Sequence, residues 1–338
     1  MFRLNRVVKS LFAAICLLLI AFTFTTTTSY AATQELYLGG FPAGFILNTK
    51  TVEVVGICDI LSDEGIANPA RQCGIGTGDI IAEVNGIEVT SASQLNELIN
   101  EDFKQFELTI IRQGQRQKVD ITPVKDKSTG KNKLGLLVKD SLNGIGTVTY
   151  VDRTSGKFGS LGHPVADSLG NLTKIHGGSL YSCSIYNVKK GLRGNPGELK
   201  GIFDNSNSYG TIEVNCNCGI FGRVNDSFDY SSLKKVKCGS VDDVKIGKAS
   251  IYTTLDGNQP QKYEISIIKT DKTNKDNRNY VIKIDDSRLL EQSGGIVQGM
   301  SGSPIIQEGK LIGAVTHVFI NDPTRGYGIS VENMLASF

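Results

Sequence analysis

Ser301 lies in the run Gly299-Met300-Ser301-Gly302-Ser303-Pro304, where glycines on both sides let the backbone turn sharply and leave a hydroxyl exposed. A serine is a weak nucleophile unless a base takes its proton and donors hold the oxyanion that its attack creates. The backbone amides of Gly299 and Ser301 are candidates for those donors. A second reading is a glycine-rich hairpin between buried strands, since apolar Ile305-Ile306 and Leu311-Ile312 follow.

The base should be a histidine, because imidazole titrates near neutral pH. The chain has three: His163, His176 and His317. His163, between Gly162 and Pro164, can project from a loop into a cleft. His176 precedes Gly177-Gly178 and reads as a structural turn residue. His317 sits in an apolar strand beside Thr316, and alternation sends those two side chains to opposite faces, so at most one faces a cleft. A carboxylate should orient the imidazole, but spacing does not choose among Asp204, Asp226, Asp229, Asp242, Asp243, Asp256, Asp285 and Asp286.

These residues need a scaffold, and 338 residues leave room for two or three domains. A net charge of +2 gives no basic excess for phosphates, which argues against a dedicated nucleic-acid binder. Residues 1–32 have the order of a secretory signal: Arg3, Arg6 and Lys9, an apolar run from Leu11 to Phe24, then Ser29-Tyr30-Ala31-Ala32. The run is shorter than the about 20 residues a membrane-spanning helix needs; export is expected, with the segment either cleaved or kept as an anchor. Beyond Cys16 in that segment, six cysteines remain: Cys58, Cys73, Cys183, Cys216, Cys218 and Cys238. The Cys216-Asn217-Cys218 pair with Cys238 admits disulfides, free thiols or a thiol-redox function. Without a second pair or a nearby histidine it lacks the usual metal spacing, and neither metal nor cofactor is expected.

Along the chain, Thr51 to Ile57 reads as a strand. Asn85-Gly86 suits a hairpin turn with both central residues at positive φ, and Ser93 to Ile99 has helical spacing. The stretches "GIGTGDIIAEVNG" and "FELTIIRQG" around that helix resemble a PDZ domain: α+β, five to six strands with two helices, over residues 33–125. The resemblance puts Gly44 and Phe45 in the loop that captures a peptide C-terminus while the peptide adds a strand to the sheet edge. Residues 126–140 read as a linker: Lys125 to Lys133 is charged and poor in apolar side chains, and strand character restarts over Leu134 to Lys139. From 141 to 338 short strands alternate with Gly, Asn and Asp turns, an all-β signature.

The segments "GIGTVTYVD", "GSLGHPVAD", "GNPGE", "GIFG" and "GGIVQGMSGSPIIQEGKLIGAVTHVFINDPTRGYGI" resemble the stage IV sporulation protein B family of serine peptidases, with similarity over nearly the full length. The resemblance implies a mainly β chain, a PDZ domain followed by a trypsin-like double β-barrel serine endopeptidase. It implies Ser301 as nucleophile, His163 as base, Asp286 as acid (with adjacent Asp285 able to substitute), the Gly299 and Ser301 amides as oxyanion hole, and Thr316 as a supporting residue. It further implies export from a forespore into the space between the forespore and mother-cell membranes, with possible membrane anchoring. The implied substrates are the chain itself and the regulatory subunit of a membrane-embedded metalloprotease, whose release activates a late mother-cell sigma factor. A noncatalytic extracytoplasmic PDZ adaptor with a degenerate protease domain is the alternative.

Overall fold

The computed structural model describes residues 35–101, 103–167 and 170–338. The signal or anchor segment, residues 1–32, lies outside them. No helix among the described residues is long and apolar enough to cross a membrane.

Strand pairing closes two barrels. In the first, Pro42–Ile57 pairs through its N-terminal half with Leu136–Val151 on one side and Ile175–Lys189 on the other. The circuit continues through Glu198–Cys216, Gly219–Val224 and Lys157–Ser160, then returns to Leu136–Val151. Every pair is antiparallel. Phe41, Phe45, Leu47, Val148, Phe158, Leu180 and Ile220 fill the interior.

The second barrel runs Gly247–Thr253, Gln261–Thr270, Tyr280–Ile284, Asp322–Ser330, Lys310–Phe319 and Pro304–Gln307, which pairs back with Gly247–Thr253. Its strands alternate as a half-buried sheet requires: in Tyr280–Ile284 the first, third and fifth side chains are buried and the others are not. Closure removes the free edges that an open sheet would leave. Glu35–Leu38 joins the barrels, pairing with Leu136–Val151 of the first and with Lys235–Cys238, which runs parallel to Lys310–Phe319 of the second.

The α+β unit has its own core of Val52, Val54, Ile81, Leu95, Phe106, Leu108, Ile110 and Ile121. Its hairpin turns at Asn85 (φ 52) and Gly86 (φ 79), as their side chains imply. Its longer helix, Ala92–Leu98, is capped by the Ser91 hydroxyl accepting from the Gln94 amide. The shorter, Pro69–Gln72, is capped by Asn68.

The boundaries differ from 33–125, 126–140 and 141–338. Pro42–Ile57 belongs to the first barrel up to Thr49 and to the α+β unit from Val52, where it pairs with Ile80–Val84. Leu136–Val151 makes the return crossing, pairing as Leu136–Lys139 inside the unit and as Ser141–Thr147 inside the barrel. The Thr49 hydroxyl donates to the Asp140 carbonyl (2.9 Å) where the two strands leave the barrel. The PDZ-like unit is thus inserted between the first two strands of the first barrel, and the strand character expected over Leu134 to Lys139 belongs to the start of Leu136–Val151. Alternation shows that Thr51 to Ile57 is extended. It does not show that this stretch continues a strand whose first half pairs in a different sheet.

Gly44 and Phe45 consequently do not form a peptide-binding loop. They are mid-strand, opposite Ile145 and Gly144 on one side and Tyr181 and Leu180 on the other. Glycine is needed at 44 because a Cβ there would stand 2.2 Å from the Phe203 ring.

Candidate active site

Ser301 sits on the tight turn that leads into Pro304–Gln307. Gly299 (φ +97) and Gly302 (φ +95) hold conformations that side chains resist. A Cβ at Gly302 would also come within 2.0 Å of the Thr147 carbonyl, and one at Gly299 within 2.9 Å of Leu199. The first barrel fixes this turn of the second. The Thr147 amide donates to the Ser301 carbonyl (3.0 Å), the Thr147 hydroxyl to the Gly299 carbonyl (2.8 Å) and the Thr149 hydroxyl to the Gly302 carbonyl (2.7 Å). The Gly302 amide donates to the Val315 carbonyl (2.8 Å). Every neighbouring carbonyl of the turn is thereby committed. The amides of Gly299 and Ser301 have no backbone acceptor among the described residues, the arrangement an oxyanion hole requires.

His163 follows a turn in which Leu161 (φ 64) and Gly162 (φ 69) are both left-handed. It lines, together with Ser301, Gly299 and Gln298, a cavity of about 330 Å³ whose other walls are mostly apolar: Phe45, Leu47, Leu142, Ile145, Leu161 and Val165. Its Nδ1 lies 2.8 Å from the Pro164 carbonyl. A carbonyl only accepts, so Nδ1 carries the proton and Nε2 keeps its lone pair. Burial pushes the His163 pKa below its ordinary 6.5, with the Pro164 hydrogen bond acting weakly in the other direction. The ring is therefore a neutral base at pH 7.

Thr316 supports the serine through its backbone: the Ser301 hydroxyl donates to the Thr316 carbonyl (2.8 Å). The Thr316 side chain turns away and donates to the Asn277 carbonyl (3.0 Å). The His317 ring packs against the base, 4.8 Å from the ring of His163 at 37°. Burial first, then the charges of His163 and Arg278, push its pKa down to about 4. His176 is exposed on Ile175–Lys189, away from this cleft.

Asp286 is not brought to His163. It caps the helix Ser287–Ser293, its Oδ1 accepting from the Arg288 amide (3.0 Å). Its Oδ2 accepts from the Glu264 amide (3.2 Å) and from the Arg288 guanidinium (2.8 Å). The Arg288 hydrogen bonds hold its pKa down to about 2. Asp285 is likewise engaged, with Ser266 and Lys283. The acceptor facing His163 Nδ1 is the Pro164 carbonyl, a group no sequence motif marks. Asp286→Ala is expected to cost about 1–2 kcal/mol of stability through the lost cap, with the lost partners of the Glu264 amide and the Arg288 guanidinium adding to it because the carboxylate is buried. Peptide turnover should change less than about fivefold, the factor that one hydrogen bond of about 1 kcal/mol carries, since none of these bonds reaches the imidazole. Denaturant midpoints and initial rates check this; a collapse of rate with the fold unchanged would restore Asp286 to the catalytic group.

Thr147, Thr149 and His317 are site residues that the motifs did not single out. The signal for the threonines was there: two hydroxyls two residues apart on an otherwise apolar strand face. The six described cysteines are all free thiols, and no cluster of metal-ligating side chains occurs among the described residues.

Among the described residues, one edge of the PDZ-like unit's sheet is Gln115–Ile121, paired only with Phe106–Arg112; the other is the stretch Leu136–Lys139, which pairs only with Pro42–Ile57. The Ala92 amide, opening the helix Ala92–Leu98, donates to Asp140 Oδ2 (2.9 Å) and ties the helix to that edge.

Solved structures similar to this chain include the active form of the Rv3671c protease from M. tuberculosis, at 14% identity, covering 58% of this chain and 72% of that one with a TM-score of 0.34. The HtrA-type protease AlgW with a decapeptide is similar at 12% identity, over 62% of this chain and 53% of that one, TM-score 0.33. The PDZ domain of the SdrC-like protein from Listeria monocytogenes is similar at 19% identity, over 25% of this chain and 90% of that one, TM-score 0.20. Overlap at that level adds nothing to the strand pairing. The family comparison carries more: the SpoIVB peptidase S55 family matches residues 130–335, which include His163, Ser301 and both barrels' return strands. The chain belongs to the SpoIVB peptidase S55 family and is a serine endopeptidase of sporulation.

Proposed function

We propose that the chain cleaves peptide bonds with Ser301 as nucleophile and His163 as base. The observation that carries this reading is the shared cavity, in which the two side chains meet two unpaired amides at Gly299 and Ser301. The Ser301 hydroxyl leaves the Thr316 carbonyl and gives its proton to His163 Nε2 as its oxygen attacks the substrate carbonyl. The two amides hold the oxyanion, and His163 returns the proton to the leaving amine. Water repeats the sequence on the acyl-enzyme. A backbone carbonyl at Nδ1 fixes the tautomer as a carboxylate would, but it stabilises the imidazolium less, which suits a slow, selective peptidase.

The reading extends to substrates. The chain cleaves a copy of itself, then the regulatory subunit of a membrane-embedded metalloprotease, in the space between forespore and mother-cell membranes. The released metalloprotease activates a late mother-cell sigma factor. The PDZ-like unit presents a protein tail at the Leu136–Lys139 edge, where strand addition is open, and raises its effective concentration at the cleft.

The apolar cavity favours a bulky aliphatic or aromatic side chain next to the scissile bond. Sequencing the cuts made in a mixed peptide library tests this. Apolar residues should dominate one flanking position, and Leu142→Asp should lower kcat/KM for those peptides by about tenfold or more, the cost of burying one apolar side chain against a charge. Cuts flanked by charged residues on both sides would refute the assignment of the cavity.

A further inference from the structure

The Cys216-Asn217-Cys218 motif has no part in the mechanism, yet the fold sets it between the two halves of the cleft. It forms the tip of the hairpin that joins Glu198–Cys216 to Gly219–Val224, with Asn217 and Cys218 in the turn. Asn215, one residue before it, holds the His163 loop. Its Oδ1 accepts from the Val165 amide (2.9 Å), and its Nδ2 donates to the carbonyls of Val165 (2.8 Å) and Thr173 (2.9 Å). On the other side, the Asn217 carbonyl accepts from Asn277 Nδ2 (3.0 Å). The Asn277 carbonyl takes the Thr316 hydroxyl, and the Thr316 carbonyl takes the Ser301 hydroxyl. One turn therefore braces both the base and the nucleophile.

Cys216 packs against the apolar cluster that holds the buried Cys218, whose thiol donates to the Lys275 carbonyl (3.8 Å). Cys216 is half-buried and Asn217 exposed, so a small molecule reaches the pair from the turn side, whereas Cys238 in the same cluster is buried. We propose that Cys216 and Cys218 form a thiol–disulfide exchange site for small-molecule disulfides such as glutathione disulfide, and that its oxidation state sets the rate of the peptidase.

The step balances. The Cys216 thiolate attacks one sulfur of the external disulfide and expels the other as a thiolate, leaving a mixed disulfide. Cys218 loses its proton and attacks Cys216 Sγ, expelling the second external thiol. Two protein thiols are oxidised, and one disulfide is reduced to two thiols. The chemistry suits the roles, since the Cys218 hydrogen bond stabilises the Cys216 thiolate and lowers its pKa, while Cys218 itself is pushed up. Cys183 and Cys238 lack such help; burial alone pushes Cys183 up to about 11, and mainly burial takes Cys238 to about 12. Closing the bridge draws Cys216 toward Cys218 and moves Asn215 and Asn217, which loosens their hold on Val165 and Asn277.

The test equilibrates the full chain in glutathione buffers of graded redox ratio, alkylates free thiols and maps the cysteines by mass spectrometry. Turnover of a peptide substrate is followed in parallel. The expected result is a Cys216–Cys218 disulfide with the remaining mapped cysteines alkylated, and turnover lower by about three- to tenfold when oxidised, the effect of weakening one or two supporting hydrogen bonds. Cys218→Ser should stop at a mixed glutathione adduct on Cys216 and lose the two-state rate response. Alkylation of both cysteines under all buffers, or prior oxidation of Cys183 or Cys238, would overturn the exchange site. A disulfide that leaves turnover unchanged would overturn its link to the cleft. The kinetic arm rests on the serine-peptidase reading, but the mass map does not, so failure of either is told apart.

Discussion

Ser301→Ala is expected to lower peptide turnover by about 10⁴- to 10⁶-fold, the loss seen when a serine peptidase is deprived of its nucleophile, and to end the proposed self-cleavage. The fold should not notice. Among the described residues, the only side-chain hydrogen bond of Ser301 goes to the Thr316 carbonyl, while the turn itself is held by Thr147, Thr149 and the Gly302 amide. The melting temperature should therefore stay within about 3 °C of the parent, the shift expected for well under 1 kcal/mol in a chain of this size. Gel analysis of the purified variant over time, beside its thermal melt, reads both halves. Self-processing of the variant at the parent rate would remove Ser301 from the chemistry.

His163→Ala should cost about 10⁴-fold or more in kcat, and the pH profile of the parent should carry the signature of this residue. The neutral imidazole is the working form. Because burial pushes its pKa below 6.5, kcat/KM should hold as pH falls past 6.5 and decline only below it. The linkage to stability has the same sign. His163 and His317 are both held neutral in the fold, His317 at about 4, while the unfolded chain takes up protons near the ordinary 6.5. Folding stability is thus fully present above 6.5 and declines as pH falls toward 4. His317→Phe removes one of the two groups and should flatten that decline in urea midpoints measured from pH 7 to 4. An acid limb centred well above pH 7 would mean that another group is titrating.

The chemistry of the cleft was legible where it resides in short strings. Gly299, Ser301 and Gly302 announce a strained turn, and the isolated His163 between Gly162 and Pro164 announces a ring on a loop. The mainly β character was legible from the alternation of apolar residues, as in Tyr280–Ile284. What the sequence hid was long-range pairing. Strands such as Pro42–Ile57 and Leu136–Val151 serve two sheets each, and local period carries no record of a partner, so Gly44 and Phe45 looked like a loop of the PDZ-like unit. The orienting group was hidden for a different reason. A backbone carbonyl is the same at every residue, so Pro164 could not be distinguished, while Asp286, a conspicuous carboxylate, turned out to cap a helix and pair with Arg288. Thr316 was legible as a position but not as an atom, since it is its carbonyl that meets Ser301.

The pairing of Ser301 with His163 is tested most directly by a fluorophosphonate, which forms a stable bond only with a serine whose proton a neighbouring base removes. The full chain should gain one adduct, mapped to Ser301, at a rate that falls steeply in His163→Ala, hardly changes in Asp286→Ala and is zero in Ser301→Ala. No adduct on the folded parent chain, or an adduct on another residue, would contradict the account.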